Sequence, residues 1–128
     1  MKLLWVFAGG GAGACSRYLM SVLVGRWAGH MPWPKFPWHT LSVNVLGALI
    51  IGALAEYFAL RVSHLEHARL LLITGFLGGF TTFSAFSLES ALMWEKGDYL
   101  SLSAYVGLSV AGTIIAVLCG GGMMRAVL

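Results

Sequence analysis

The side chains of this sequence best suited to chemistry are concentrated between Thr74 and Ser87, in TGFLGGFTTFSAFS. Beyond the glycine pair Gly78-Gly79, two rows advance three residues at a time, a spacing that keeps side chains on one helix face. One row is aromatic, Phe80, Phe83 and Phe86; the other is hydroxyl, Thr81, Ser84, Ser87 and Ser90. An aromatic stripe is packing by default, but four hydroxyls beside it in an apolar run are less easily dismissed. Ring edges carry the positive end of the aromatic quadrupole, and hydroxyls can stand in for hydration water. Such groups attract an anion without setting a full opposite charge against it, so the anion can leave again.

The elements that must position these groups are membrane helices. Charged residues make up 10% of the 128 and hydrophobic ones 59%, with mean hydropathy +0.83, whereas a soluble domain carries about 25% charged residues. A net charge of +3 spread over loops is no nucleic-acid footprint. Four apolar segments, residues 3–24, 41–60, 70–93 and 100–124, each have about the ~20 residues a crossing helix needs. The reading is an all-α membrane protein, a single transmembrane domain over residues 1–128 with four transmembrane helices. The loop from Gly25 to Thr40 holds all three prolines with Trp27, Trp33 and Trp38, as an interfacial aromatic belt would. Cys15 and Cys119 lie in apolar runs and read as buried, inert thiols. The N-terminal apolar run resembles a signal peptide, but apolar character resumes after Arg17 at Tyr18-Leu19-Met20, which speaks against cleavage.

The third of these helices is predicted to break near residues 79–82, close to the bilayer midplane. Gly costs about 1 kcal/mol against Ala in a helix interior, and the Thr81-Thr82 pair suits an N-cap. A break frees backbone groups that lipid cannot satisfy, so they must face protein, water or an ion. The restarted half turns a positive dipole end toward the break. The carbonyls around Gly78 present the opposite polarity, which suits a cation.

Elsewhere, Gly9-x-Gly11-x-x-Ala14 matches a dinucleotide fingerprint, but no acidic residue occurs before Glu56. Gly9-x-x-x-Gly13 reads better as a close-packing face between membrane helices. Arg17 would cost about 2.5–3.5 kcal/mol at a helix centre; either it snorkels to an interface, or it faces protein or an aqueous vestibule and attracts anions. Asn44, one turn into the second helix, is either glue between helices or an amide donor for a desolvated anion. Tyr105, Ser109 and Thr113 follow i,i+4 spacing, as a hydrogen-bonding seam or a pore wall. Loop charges divide four (Lys2, Arg61, Arg69, Arg125) against three (Arg26, Lys35, Lys96), which fits either a weakly biased single orientation or insertion both ways up.

Taken together, these residues resemble the Fluc (CrcB) family of fluoride channels along the whole chain. The match runs from the small-residue helix ending in Arg17-Tyr18, through Thr40-Leu41-x-Val43-Asn44-x-Leu46-Gly47, to Gly75-Phe76-x-Gly78-Gly79-x-Thr81-Thr82-Phe83-Ser84-x-Phe86-Ser87-x-Glu89. The resemblance implies an antiparallel, dual-topology homodimer in the bacterial inner (plasma) membrane, with two fluoride pores at the dimer interface. Asn44, Phe83 and Phe86 match its pore-lining residues, and Tyr105 and Ser109 its fourth-helix wall. Thr82, Ser84 and Ser87 are expected to complete the pore and Arg17 to stand in its vestibule. Gly78 and Thr81 match positions whose backbone carbonyls hold a structural Na⁺ at the dimer centre. Two residues depart from the pattern. His39 stands where the family usually has Gly, which makes the vestibule charge pH-sensitive, and Ala85 replaces a usual Thr, which thins the polar lining.

The expected function is passive export of fluoride that entered as HF, lowering its toxicity, with no enzymatic activity. A coupled small-molecule exporter would need a carboxylate in the first helix, and none is there. Glu89 is the residue that could carry a proton in fluoride–proton exchange. An oxidoreductase subunit fails for want of an acidic ribose partner and of haem or metal ligands, since His30, His39, His64 and His67 all fall in loops or at helix ends.

Overall fold

The computed structural model describes residues 1–128 and is all-helical. Helix α1 (Lys2–Ala28) has 27 residues, about 40 Å at 1.5 Å per residue. Helix α2 spans Trp38–Leu60. A third apolar span, Glu66–Glu95, is composite. It runs through α3 (Glu66–Arg69), a π-helix π1 (Leu70–Leu77), α4 (Gly78–Phe80) and α5 (Phe83–Glu95). Helix α6 (Tyr99–Val127) closes the chain. Trp38–Leu60, Glu66–Glu95 and Tyr99–Val127 are long and apolar enough to cross a membrane. Helix α1 does not join them by composition, because its glycines and Arg17 dilute the apolar side chains. Helices also outrun the segments expected from apolarity, which discards polar ends: α2 starts at Trp38, directly behind Pro37, rather than at Leu41.

Ion pairs gather four helix ends at one end of the bundle. Lys2 Nζ meets Glu66 Oε1 at 2.6 Å, joining the starts of α1 and α3. Arg125 Nη1 meets Glu56 Oε2 at 3.0 Å, joining the ends of α6 and α2. At the opposite end the α5–α6 link is minimal. Gly97, at φ 71°, takes the left-handed conformation that a Cβ would disfavour. Its N–H donates to Trp94 O and that of Asp98 to Met93 O, both at 3.0 Å, which completes a Schellman motif. Asp98 then caps α6, its Oδ1 accepting from Ser101 N–H at 3.2 Å, and the bonds from Ser101 hold the Asp98 carboxyl below its usual range.

Helix α1 packs on the third span backbone to backbone. Gly9 and Gly13 are buried. A Cβ at Gly75 would fall 2.9 Å from Gly9 Cα, and one at Gly13 would overlap the Phe76 carbonyl. The glycine run is therefore a packing face. Its partner face is the π-helical stretch, whose i→i+5 bonding was not foreseen in the sequence.

The long loop is packed against the helices as well as exposed. Phe36 is buried to 3% exposure and stands edge-on to Tyr105, with ring centroids 5.5 Å apart. Trp38 packs on Phe36 at 4.7 Å and donates from Nε1 to Trp33 O at 2.9 Å. Only Trp27 of the three tryptophans is largely exposed. Both cysteines are exposed rather than buried.

Candidate functional site

Two threonines separate α4 from α5. Thr81 (φ −81°, ψ 158°) and Thr82 (φ −150°, ψ 117°) are extended. Thr81 turns both its N–H (3.0 Å) and its Oγ1 (2.9 Å) onto Leu77 O. Thr82 is the N-cap of α5, its Oγ1 accepting from Ala85 N–H at 3.2 Å. Its own backbone groups are met by one side chain. Thr82 N–H donates to Asn44 Oδ1 at 2.8 Å, and Asn44 Nδ2 donates to Thr82 O at 3.0 Å. The amide thus substitutes for a neighbouring strand and satisfies both groups that the extended residue frees. Asn44 was expected either as helix glue or as an anion donor. It is glue of a specific kind, and it keeps one N–H uncommitted.

Around this joint lies a cavity of about 310 Å³ lined by Asn44, Thr82, Phe83, Phe86 and Ser109, together with Gly47, Thr81 and Thr113. Five of the expected pore residues therefore meet in one place. The Phe83 and Phe86 rings lie 5.3 Å apart and tilted by 40°. Ser109 Oγ is buried without a hydrogen-bond partner, and such a group calls for a ligand or water. No ionisable side chain lines the cavity. Phe83, Val110 and Val117, on its lining, are exposed.

Three expected pore residues lie elsewhere. Ser84 and Ser87 are exposed. The Ser84 hydroxyl pairs with Thr82 Oγ1 at 3.2 Å, and Ser87 donates back to Phe83 O at 2.9 Å. Tyr105 is wholly buried behind Phe86, at 5.2 Å between ring centroids. Its hydroxyl donates to Glu89 Oε2 at 2.5 Å.

Glu89 is the centre of a second constellation. Its Oε1 accepts from Thr40 Oγ1 at 2.7 Å and faces His39 Nε2 at 3.2 Å. Glu89, His39 and Thr40 share a cavity of about 360 Å³ with Arg17, Tyr18, Ala85 and Thr82, so Thr82 lines both cavities. Arg17 lies in this cavity rather than the first, and it makes no ion pair within the chain. The grouping of Thr40 and Tyr105 on Glu89 escaped the sequence reading. The one available signal was the i,i+4 spacing of Thr40 and Asn44, which sets both on the face of α2 that meets α5.

The comparisons with known proteins agree along the chain. The sequence profile described as "CrcB-like protein, Camphor Resistance (CrcB)" matches residues 4–121. A protein named fluoride-specific ion channel FluC from Rhizobium etli (strain CIAT 652) is 47% identical over 121 residues, 94% of each chain. One of the same name from Rhodopseudomonas palustris (strain BisB5) is 44% identical over 127 residues, 99% of each chain. A third, from Chelativorans sp. (strain BNC1), is 46% identical over 126 residues, 98% of each. With a profile match and relatives that leave almost no residue uncovered, this multi-pass membrane chain belongs to the CrcB family.

Proposed function

We propose that this chain is a fluoride-selective ion channel, not an enzyme, that lets cytoplasmic fluoride leave passively across the bacterial inner membrane and so lowers fluoride toxicity. The observation that carries the reading is the cavity at Asn44. It offers an uncommitted amide N–H, an unpartnered buried hydroxyl on Ser109 and two phenylalanine rings, with no ionisable group to trap or repel an anion. Proteins named fluoride-specific ion channel FluC align with 94% and 99% of the chain at 47% and 44% identity.

The working unit is an antiparallel homodimer of chains crossing four times, inserted both ways up, with two pores at the interface and the Thr81–Thr82 joint near the bilayer midplane. Two facts support this. Phe83 and Gly78 are exposed, the Gly78 carbonyl lacks its helical donor because Thr82 N–H turns to Asn44, and lipid does not satisfy a free carbonyl; a second copy would cover both. The loop charges, four against three, scarcely favour one orientation. C-terminal tags are therefore expected to report from both sides of the membrane in the same cells. Lysines added at one end should bias insertion and lower activity, and co-expression of the oppositely biased variant should restore it. A single orientation with full activity would overturn the arrangement.

A structural Na⁺ at the dimer centre suits the carbonyls of Gly78 and Thr81. Thr81 O accepts no backbone hydrogen bond, and Gly78 O lacks its usual helical donor because Thr82 N–H turns to Asn44 instead. Carbonyls without carboxylates suit a monovalent ion better than a divalent one, which seeks carboxylates. Such an ion would contribute charge to hold the joint and take no part in conduction.

Fluoride efflux from reconstituted liposomes tests these readings together. Efflux is expected only when a potassium ionophore compensates charge, and it is expected to fall after prolonged sodium removal. Efflux that runs without ionophore and moves protons would replace the channel by an exchanger. Efflux indifferent to sodium would remove the ion.

A further inference from the structure

The second cavity holds a balanced set of charges with one adjustable member. From α1, Arg17 brings a positive charge that no carboxylate in the chain neutralises, and Tyr18 stands beside it. From α5, Glu89 brings a negative charge, which Tyr105 on α6 reaches through its hydroxyl. From α2 comes His39, whose side chain is 42% exposed and so open to water and protons. Neutral His39 leaves the three groups with no net charge; protonated His39 leaves them with one positive charge.

The position of Glu89 does not depend on that proton. Thr40 Oγ1 at 2.7 Å and Tyr105 OH at 2.5 Å hold one carboxylate oxygen each. Protonation of His39 therefore changes the charge of the cavity rather than its shape. Thr82, shared with the first cavity, links this charge to the joint where Asn44 sits.

We propose that His39 is a proton-operated control on anion entry: protonated, it makes the Arg17 cavity net positive and raises the local concentration of anion feeding the Asn44 cavity. The proposal rests on the fluoride-channel reading. Histidine is the side chain whose charge ordinarily changes between about pH 5 and 8, and charge lining a cleft changes anion supply by mass action. The conductance would then be highest in acid, where fluoride enters as HF.

Efflux with ionophore present, corrected for leak from protein-free vesicles, is expected to rise about three- to tenfold from pH 8 to pH 5.5. His39→Gln keeps an N–H donor for Glu89 but no charge, and should give a flat profile at the low level. His39→Lys fixes the charge, and should give a flat profile at the high level. The same slope in all three proteins would overturn the proposal. A second readout does not need transport. Binding and protonation are linked reciprocally, so sodium fluoride should move the His39 imidazole titration, followed by NMR in lipid nanodiscs, upward by about half a pH unit or more. Absence of efflux from every variant at every pH would overturn the channel reading, and the titration would then decide on His39 alone. A midpoint unmoved by fluoride overturns its role.

Discussion

Asn44→Asp is expected to reduce fluoride efflux at least about a hundredfold, equivalent to ~2.7 kcal/mol, and to lower the melting temperature as well. The substitution preserves shape while reversing one hydrogen bond. Aspartate can still accept from Thr82 N–H, now 2.8 Å from Asn44 Oδ1. It cannot donate, so a carboxylate oxygen would face Thr82 O, now 3.0 Å from Nδ2. Leaving a buried acceptor without its donor costs about 1–3 kcal/mol. The same change also sets a negative charge in the cavity that the anion must enter. Asn44→Ser should behave differently. Serine is too short to meet both backbone groups of Thr82, so stability falls, but no charge opposes the anion and some efflux survives. Efflux and thermal unfolding of both variants check the pair. Equal efflux would mean that Asn44 acts on the joint alone and never on the anion.

The contrast between Asn44 and Glu89 shows where sequence reasoning reached and where it stopped. Thr82 as a helix start was legible because capping is local: a threonine oxygen reaches an N–H three residues on. The packing role of Gly9 and Gly13 was legible because glycines four apart on a membrane helix have few other uses. The partner of Asn44 was not legible, since it is the backbone of a residue 38 positions away, and backbone groups carry no sequence signature. Glu89 presents the same difficulty three times over, its partners coming from α2 and α6.

Other misses arose from treating each element separately. The hydroxyls in steps of three looked like one row of donors. Thr81 and Ser87 instead spend theirs on carbonyls four residues back, Leu77 O and Phe83 O, a local competitor open to any helical Ser or Thr. Tyr105 shared a spacing with Ser109, yet it was drawn off the cavity by Glu89 and buried by Phe36 and Phe86. The π-helix has no composition of its own to betray it.

Phe83→Ile is expected to cut efflux tenfold or more while leaving the fold of the single chain as stable as before. Within one chain Phe83 is 78% exposed, so trimming it costs the chain's own core little, and isoleucine differs from phenylalanine by only a few tenths of a kcal/mol in helix propensity. What isoleucine lacks is the quadrupole, whose positive ring edge can face an anion. A tenfold loss corresponds to about 1.4 kcal/mol, within reach of one aromatic edge in a water-poor cavity. Phe86→Ile should reduce efflux similarly, but with a stability cost of about 1 kcal/mol from its lost contact with Tyr105. The exposed ring is therefore the cleaner probe. Ionophore-driven efflux beside thermal unfolding separates the two effects. Unchanged efflux in both variants would return the pair to packing and leave the polar groups of the cavity, the Asn44 amide and the Ser109 hydroxyl foremost, to meet the anion.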